Sequence, residues 1–297
     1  YYILRHSDHS SPMHISLNEY SGKQLRVLED NDELKKRVKE YQFGSVEYFQ
    51  MNTSEDVKLN GYMIKPFNFD SAKKYPVLMY VYGGPGSQQV IDSWGGSRSP
   101  WSHYLTQKGY IIVCVDNRGT GFRGAAFRKI NHKELGKYEA IDQIEVAKWL
   151  GKKSFVDPAR IGIWGWSFGG YLSSLCITKG ADVFSMAIAV APVTNWRYYD
   201  SIYTERYMQT PQENPTGYDS NSPIQFAKNL KGKFLLVHGT GDDNVHFQNS
   251  VMFSEALIQV NKPFEQAYYP NKNHGIYGGN TTLHLYSKMT DFILKNL

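Results

Sequence analysis

Residues Gly165-Trp-Ser167-Phe-Gly169 follow the apolar run Arg160-Ile-Gly-Ile-Trp164 and lead directly into Gly170-Tyr-Leu-Ser-Ser-Leu-Cys176. The pattern predicts a strand, a sharp turn and a helix, with small residues flanking a serine at the turn. A serine lifted out of the backbone there stands at a helix N-terminus, which favours developing negative charge. Ser167 is therefore the candidate nucleophile. Its hydroxyl is weakly nucleophilic at neutral pH, so the chemistry requires a general base to take the proton and a carboxylate to orient that base.

On a strand–turn–helix elbow the order along the chain should be serine, acid, histidine. Asp242 and Asp243 follow the strand-like run Phe234–His238, and His274 follows Phe264–Tyr269. Either aspartate fits the acid while its neighbour caps the next helix, with Asp242 preferred. His274 is the base, because His238 at a strand end and His246 at a helix start do not follow the acid by a whole strand and read as structural. One oxyanion donor should be the Phe168 backbone N–H. The other should come from the loop Tyr82-Gly-Gly-Pro-Gly86, as a backbone N–H or the Tyr82 hydroxyl. The segment Val193–Tyr203 concentrates Trp196, Tyr198, Tyr199 and Tyr203 after a strand ending at Val190. Aromatics in that place fit an apolar specificity pocket, or else a lid or subunit interface. No histidine and carboxylate cluster has metal-ligand spacing, so neither metal nor organic cofactor is expected.

These residues need a frame. From about Val46, apolar strands (Val46–Gln50, Gly61–Ile64, Tyr75–Tyr82, Tyr110–Val115, Arg160–Trp164, Met186–Val190, Phe234–His238, Phe264–Tyr269) alternate with helices at Ser102–Lys108, Tyr138–Leu150, Phe247–Val260 and Thr282–Lys295. Continuous apolar strands between helices imply an α/β fold, a mostly parallel sheet with helices on both faces. Active sites in such sheets lie at the C-terminal strand ends, where every candidate above falls. The first forty residues differ. Tyr1–Leu4, Met13–Leu17 and Gln24–Leu28 read as the closing strands of a β-meander, with open edges and little core of its own, so they are expected to belong to a larger upstream β-domain. Asp30-Asn-Asp32 is expected to cap a connecting helix from Glu33 to about Tyr41. The expected division is residues 1–40 as terminal strands plus linker and residues 41–297 as the catalytic unit.

Composition is that of a globular protein: 297 residues, 41% hydrophobic and 21% charged. The net charge of +5 is scattered, with no basic stripe interleaved by aromatics, which argues against nucleic acid as a partner. No apolar run reaches the roughly 20 residues needed to span a bilayer. No basic-then-apolar leader opens the chain, so if the natural protein is secreted or anchored, the signal is expected to lie outside it. Cys114 and Cys176 sit within apolar runs and read as small buried hydrophobes.

The chain resembles, over essentially its whole length, the prolyl oligopeptidase family of serine peptidases, and within it the dipeptidyl peptidases. The resemblance is carried by Gly165-Trp-Ser-Phe-Gly-Gly170, by Ala189 through Met208, and by His238-Gly-Thr-Gly-Asp-Asp-Asn-Val-His-Phe247. It implies an α/β-hydrolase fold preceded by remnant β-propeller strands, with Ser167 as nucleophile, Asp242 as acid and His274 as base. It further implies the Tyr82 hydroxyl and Phe168 N–H as oxyanion hole. Val193, Trp196, Tyr199, Tyr203 and Val245, together with Phe168, match the walls of a proline-accepting pocket, and Asn244 matches an asparagine that holds a substrate carbonyl. At Phe168 the mammalian pattern has tyrosine, which leaves the backbone donor unaffected. The implied activity is release of N-terminal Xaa-Pro or Xaa-Ala dipeptides through an acyl-enzyme, from peptides with penultimate proline. A tripeptidyl peptidase of the same family is the alternative, to which Gln212–Tyr218 bears some likeness. A non-catalytic binding relative is the alternative of another class, though such relatives usually lose the serine. By the same resemblance a homodimer, an upstream β-propeller and a cell-surface, secreted or periplasmic location are expected.

Overall fold

The structure, a computed structural model, describes residues 1–95 and 98–297. Strands β1 (Tyr2–His6), β2 (His14–Asn18) and β3 (Gln24–Glu29) form an antiparallel sheet of their own, in the order β1-β2-β3. Every residue of β1 and β3 is exposed, as the sequence pattern requires of strands without a core. Helix α1 (Asp32–Lys39) follows, but its cap differs from the one expected. Asn31 occupies the cap with φ 55° and makes no capping bond. Its amide donates to the Met13 carbonyl on the small sheet, while Asp30 accepts the Asp32 N–H at 3.0 Å. The aspartates thus shape the turn without terminating the helix.

The second sheet has eight strands: β4 (Val46–Asn52), β5 (Lys58–Ile64), β6 (Tyr75–Val81), β7 (Ile111–Asp116), β8 (Val156–Trp166), β9 (Met186–Val190), β10 (Lys233–Gly239) and β11 (Glu265–Tyr269). Their spatial order is β11-β10-β9-β8-β6-β7-β5-β4. Strands β4 and β5 are antiparallel, and β6 through β11 run parallel. This is the α/β-hydrolase arrangement the resemblance implies. Alternate residues point to opposite faces. Met79, Val81 and Ile163 pack with α4 (Lys137–Leu150), α5 (Phe168–Lys179) and α8 (Gln248–Gln259) through Val146, Leu172, Leu175 and Leu257. Leu78, Tyr80 and Ile188 pack on the other face with α2 (Arg98–Gln107) and α9 (Thr281–Asn296) through Trp101, Leu105, Leu285 and Met289. Both faces are covered, in keeping with the fully buried runs of β6 and β9. Cys114 and Cys176 are free and buried, in keeping with their apolar runs.

Chain direction across the sheet reverses beside β6, since β7 lies on one side of it and β8 on the other. Such a switch point opens a crevice at the C-terminal strand ends. Tyr82 follows β6 and Ser167 follows β8, so the topology puts the two at that crevice. The aromatic segment after β9, to which pattern reading assigned no element, is helical. Trp196–Tyr198 form a 3-10 turn, and α6 (Ser201–Met208) follows, begun by the Asp200 carboxylate accepting the Tyr203 N–H at 2.8 Å. The short helices α3 (Ala125–Lys129) and α7 (Pro215–Ser220) complete the fold.

Candidate active site

Ser167 sits between β8 and α5 with φ 60° and ψ −119°, a conformation side chains rarely adopt. Its N–H donates to the Val190 carbonyl at 2.8 Å, pinning the turn to β9. The flanking glycines are required by close approach. A Cβ on Gly165 would lie 2.4 Å from the Val81 oxygen, and one on Gly169 would lie 2.1 Å from the same oxygen. The end of β6 therefore runs against the elbow, which brings Tyr82 to it. Phe168 opens α5, and an N–H in the first turn of a helix has no partner within the helix.

Of the two aspartates, the structure buries Asp242 and exposes Asp243. Asp242 Oδ1 accepts the Asn244 and Val245 N–H groups at 3.0 and 2.9 Å. Its Oδ2 accepts from His274 Nδ1 at 2.7 Å. Asp243 does not cap α8, whose first turn has no side-chain cap. Burial works to raise the Asp242 carboxyl. The imidazoles of His238 and His274, the charge His274 can carry and the Asn244 N–H outweigh it and hold the group well below the usual carboxylate range. With Nδ1–H committed to the carboxylate, His274 keeps Nε2 free to accept a proton.

Tyr82, Ser167, Tyr199, Asn244 and His274 line one cleft of about 990 Å³ together with Trp166, Tyr277 and Tyr286. No hydrogen bond joins Ser167 to His274 among the described residues. Such bonds are often loose until substrate arrives. The other expected pocket residues stand one layer deeper. Val193, Val245 and Phe168 are buried, and Trp196 is 1% exposed. Trp196 touches Phe168, Tyr199 and Tyr203 at ring-centroid distances of 5.5, 5.8 and 5.9 Å. Trp196 is stacked on Tyr203, tilted to Phe168 and edge-on to Tyr199, so the rings form one connected cluster with Tyr199 on the cleft. The Tyr199 hydroxyl donates to Asn244 Oδ1 at 2.7 Å. Burial pushes the Tyr199 phenol up to about 12 and raises Tyr203 as well, so both stay protonated near neutral pH.

Three further residues join the site that pattern reading did not assign to it. Trp166 Nε1–H donates to the His274 carbonyl at 2.9 Å, tying the elbow to the histidine loop. Asn249 accepts the Thr194 N–H at 2.9 Å and donates to the Tyr198 carbonyl at 3.2 Å, tying the first turn of α8 to the aromatic segment. His238 stands 3.2 Å from Asp242 Oδ2. The only signal for Trp166 was its place inside the elbow. Nothing in residue type or spacing marked Asn249. No group of three or more histidine, cysteine or carboxylate side chains suited to a metal occurs among the described residues.

Residues 97–297 match the sequence model of the prolyl oligopeptidase family, Peptidase_S9. The chain belongs to this family. Among its prolyl oligopeptidase relatives, dipeptidyl peptidase 4 of Felis catus is 42% identical over 299 residues, covering 99% of this chain and 38% of that protein. Prolyl endopeptidase FAP of Bos taurus is 42% identical over 277 residues, covering 92% of this chain and 36% of that protein. The crystal structure of Porphyromonas gingivalis dipeptidyl peptidase 4 superposes with a TM-score of 0.96 at 47% identity, covering all of this chain and 42% of that one. The chain thus spans about two fifths of these prolyl oligopeptidase relatives.

Proposed function

We propose that this chain is the catalytic domain of a serine exopeptidase that releases N-terminal Xaa-Pro or Xaa-Ala dipeptides. Ser167 Oγ attacks the carbonyl carbon of the penultimate residue while its proton passes to His274 Nε2. Asp242 holds Nδ1–H and stabilises the imidazolium. The oxyanion takes hydrogen bonds from Phe168 N–H and the Tyr82 hydroxyl. His274 then gives the proton to the leaving amine as the C–N bond breaks. Water repeats the sequence on the acyl-enzyme, releasing the dipeptide and restoring the serine. The reading is carried by the 2.7 Å His274–Asp242 hydrogen bond, which leaves Nε2 the accepting nitrogen, in a cleft shared with Ser167 and Tyr82.

Val193, Trp196, Tyr199, Tyr203 and Val245, backed by Phe168, form the proline pocket in this proposal, and Asn244 holds a substrate carbonyl. The cluster of flat rings suits a compact apolar ring and offers no anion to recruit Lys or Arg. Residues 1–40 are the last strands of a β-propeller that completes the substrate site, supported by the fully exposed β1 and β3. The whole protein acts as a homodimer.

The test uses the complete protein with Ala-Pro and Ala-Ala-Pro chromogenic amides. Faster turnover of Ala-Pro supports the dipeptidyl reading, and the reverse order replaces it with the tripeptidyl one. Unchanged turnover in Ser167→Ala refutes the mechanism.

A further inference from the structure

Asp242 is held on two sides of its carboxylate by different kinds of group. Oδ1 is fixed by two backbone N–H groups. Those bonds fix one oxygen and, through the rigid planar group, the direction of the other. The second oxygen, which accepts from His274 at 2.7 Å, has a further neighbour. His238 supplies the contact there. It is fully buried at the end of β10, with Nε2 2.8 Å from the Val245 carbonyl and 3.2 Å from Asp242 Oδ2. A carbonyl only accepts, so Nε2 carries the proton. Nδ1 then accepts from the Ser250 hydroxyl at 2.6 Å. The Nε2–H points mainly at the Val245 carbonyl, and Asp242 Oδ2 feels the same positive edge from slightly off its axis. Phe247 stands edge-on to the ring at 5.7 Å and closes the third side.

We propose that His238 is a positioning residue for Asp242: a second imidazole, locked in one tautomer by Ser250 and the Val245 carbonyl, that sets its positive edge against Oδ2 and so tunes how strongly that oxygen holds His274. The inference rests on the Ser167-Asp242-His274 reading above. Asp242 Oδ2 is flanked by two imidazoles with different duties, His274 exchanging protons with substrate and His238 keeping its own. The titratable groups facing His238 are Asp242 from its own loop, His274 across that carboxylate and Tyr268, its register partner on β11. The Tyr268 hydroxyl is engaged with Ser254 of α8 at 2.9 Å. Without the positive edge of His238, the carboxylate charge is less compensated and binds protonated His274 more strongly. The acid limb of reactivity then moves to higher pH.

The test is the rate of Ser167 modification by a fluorophosphonate as a function of pH, a reaction that needs the triad and oxyanion hole but no peptide subsites. His238→Phe keeps a ring and removes both nitrogens, His238→Gln restores an N–H at the Nε2 position, and Ser250→Ala removes one of the two hydrogen bonds that hold the ring while leaving the Val245 carbonyl. For His238→Phe we expect modification about tenfold slower, with the acid midpoint raised by about 0.5 to 1 pH unit. For Ser250→Ala we expect a smaller upward shift, and for His238→Gln the wild-type midpoint. Wild-type midpoints in folded His238→Phe and Ser250→Ala overturn the proposal, as does equal slowing of all three variants with no shift. If His238→Phe does not fold, the Ser250→Ala midpoint decides alone. A wild-type protein that is not modified at all refutes the triad reading instead.

Discussion

Asp242→Asn tests the orienting role of the carboxylate with almost no change in shape. The asparagine has one accepting oxygen where aspartate has two, and the structure determines where that oxygen goes. Facing the backbone, it keeps the Asn244 and Val245 N–H bonds and turns its NH₂ toward His274 Nδ1. Facing His274, it sets its NH₂ against those two N–H groups instead. Stranding the buried Val245 N–H costs about 1–3 kcal/mol, and the Asn244 N–H adds to it. The first orientation wins, and it forces the His274 proton from Nδ1 to Nε2. An Nε2–H cannot accept the serine proton. Loss of the right tautomer lowers kcat by about 10⁴-fold, equivalent to roughly 5.5 kcal/mol of barrier. The measurement is kcat for an Ala-Pro amide with the complete protein, with circular dichroism to verify the fold. Retention of more than a tenth of wild-type kcat would refute the reasoning.

Two other perturbations probe the scaffold. Gly169→Ala places a Cβ 2.1 Å from the Val81 oxygen, backbone that cannot move aside. It should cost at least about 3 kcal/mol, lowering the thermal midpoint by several degrees, and an unchanged midpoint would contradict the close approach. Glu139 is buried in α4, and burial pushes its carboxyl up to about 8 against hydrogen bonds from Asn131 and the Gly136 N–H. The unfolded chain ionises this group near 4.5. Between the two values the unfolded state binds fewer protons, so stability should fall as pH rises from about 4.5 to about 8. Glu139→Gln should flatten that fall in denaturant titrations at several pH values, and an identical slope in variant and wild type would count against it.

Much of the frame was legible because burial on both faces leaves continuous apolar runs. Tyr75–Val81 and Met186–Val190 are strands with no exposed residue. The candidate serine, acid and histidine stood out because each follows a strand of the parallel sheet, although Glu265–Tyr269 is only partly buried. In Val193–Tyr203 the aromatic density pointed to a pocket, lid or interface and left helix α6 unassigned, although Asp200 before Ser201 is a capping signal. The choice between Asp242 and Asp243 depended on which one the turn directs inward, and adjacent identical residues carry no pattern to decide it. Trp166 with His274, and Asn249 with Thr194, meet across 108 and 55 residues of chain. Contacts of that kind are set by how the sheet brings loops together, and no local spacing encodes them.

The central claim is that Ser167 is a nucleophile activated by His274 and Asp242. Its most direct test is mass spectrometry of the complete protein after brief exposure to a fluorophosphonate at neutral pH. A single phosphonyl adduct on Ser167 is expected, absent after heat denaturation and absent in Ser167→Ala. A folded, unmodified protein, or an adduct on another residue with Ser167 intact, would contradict it.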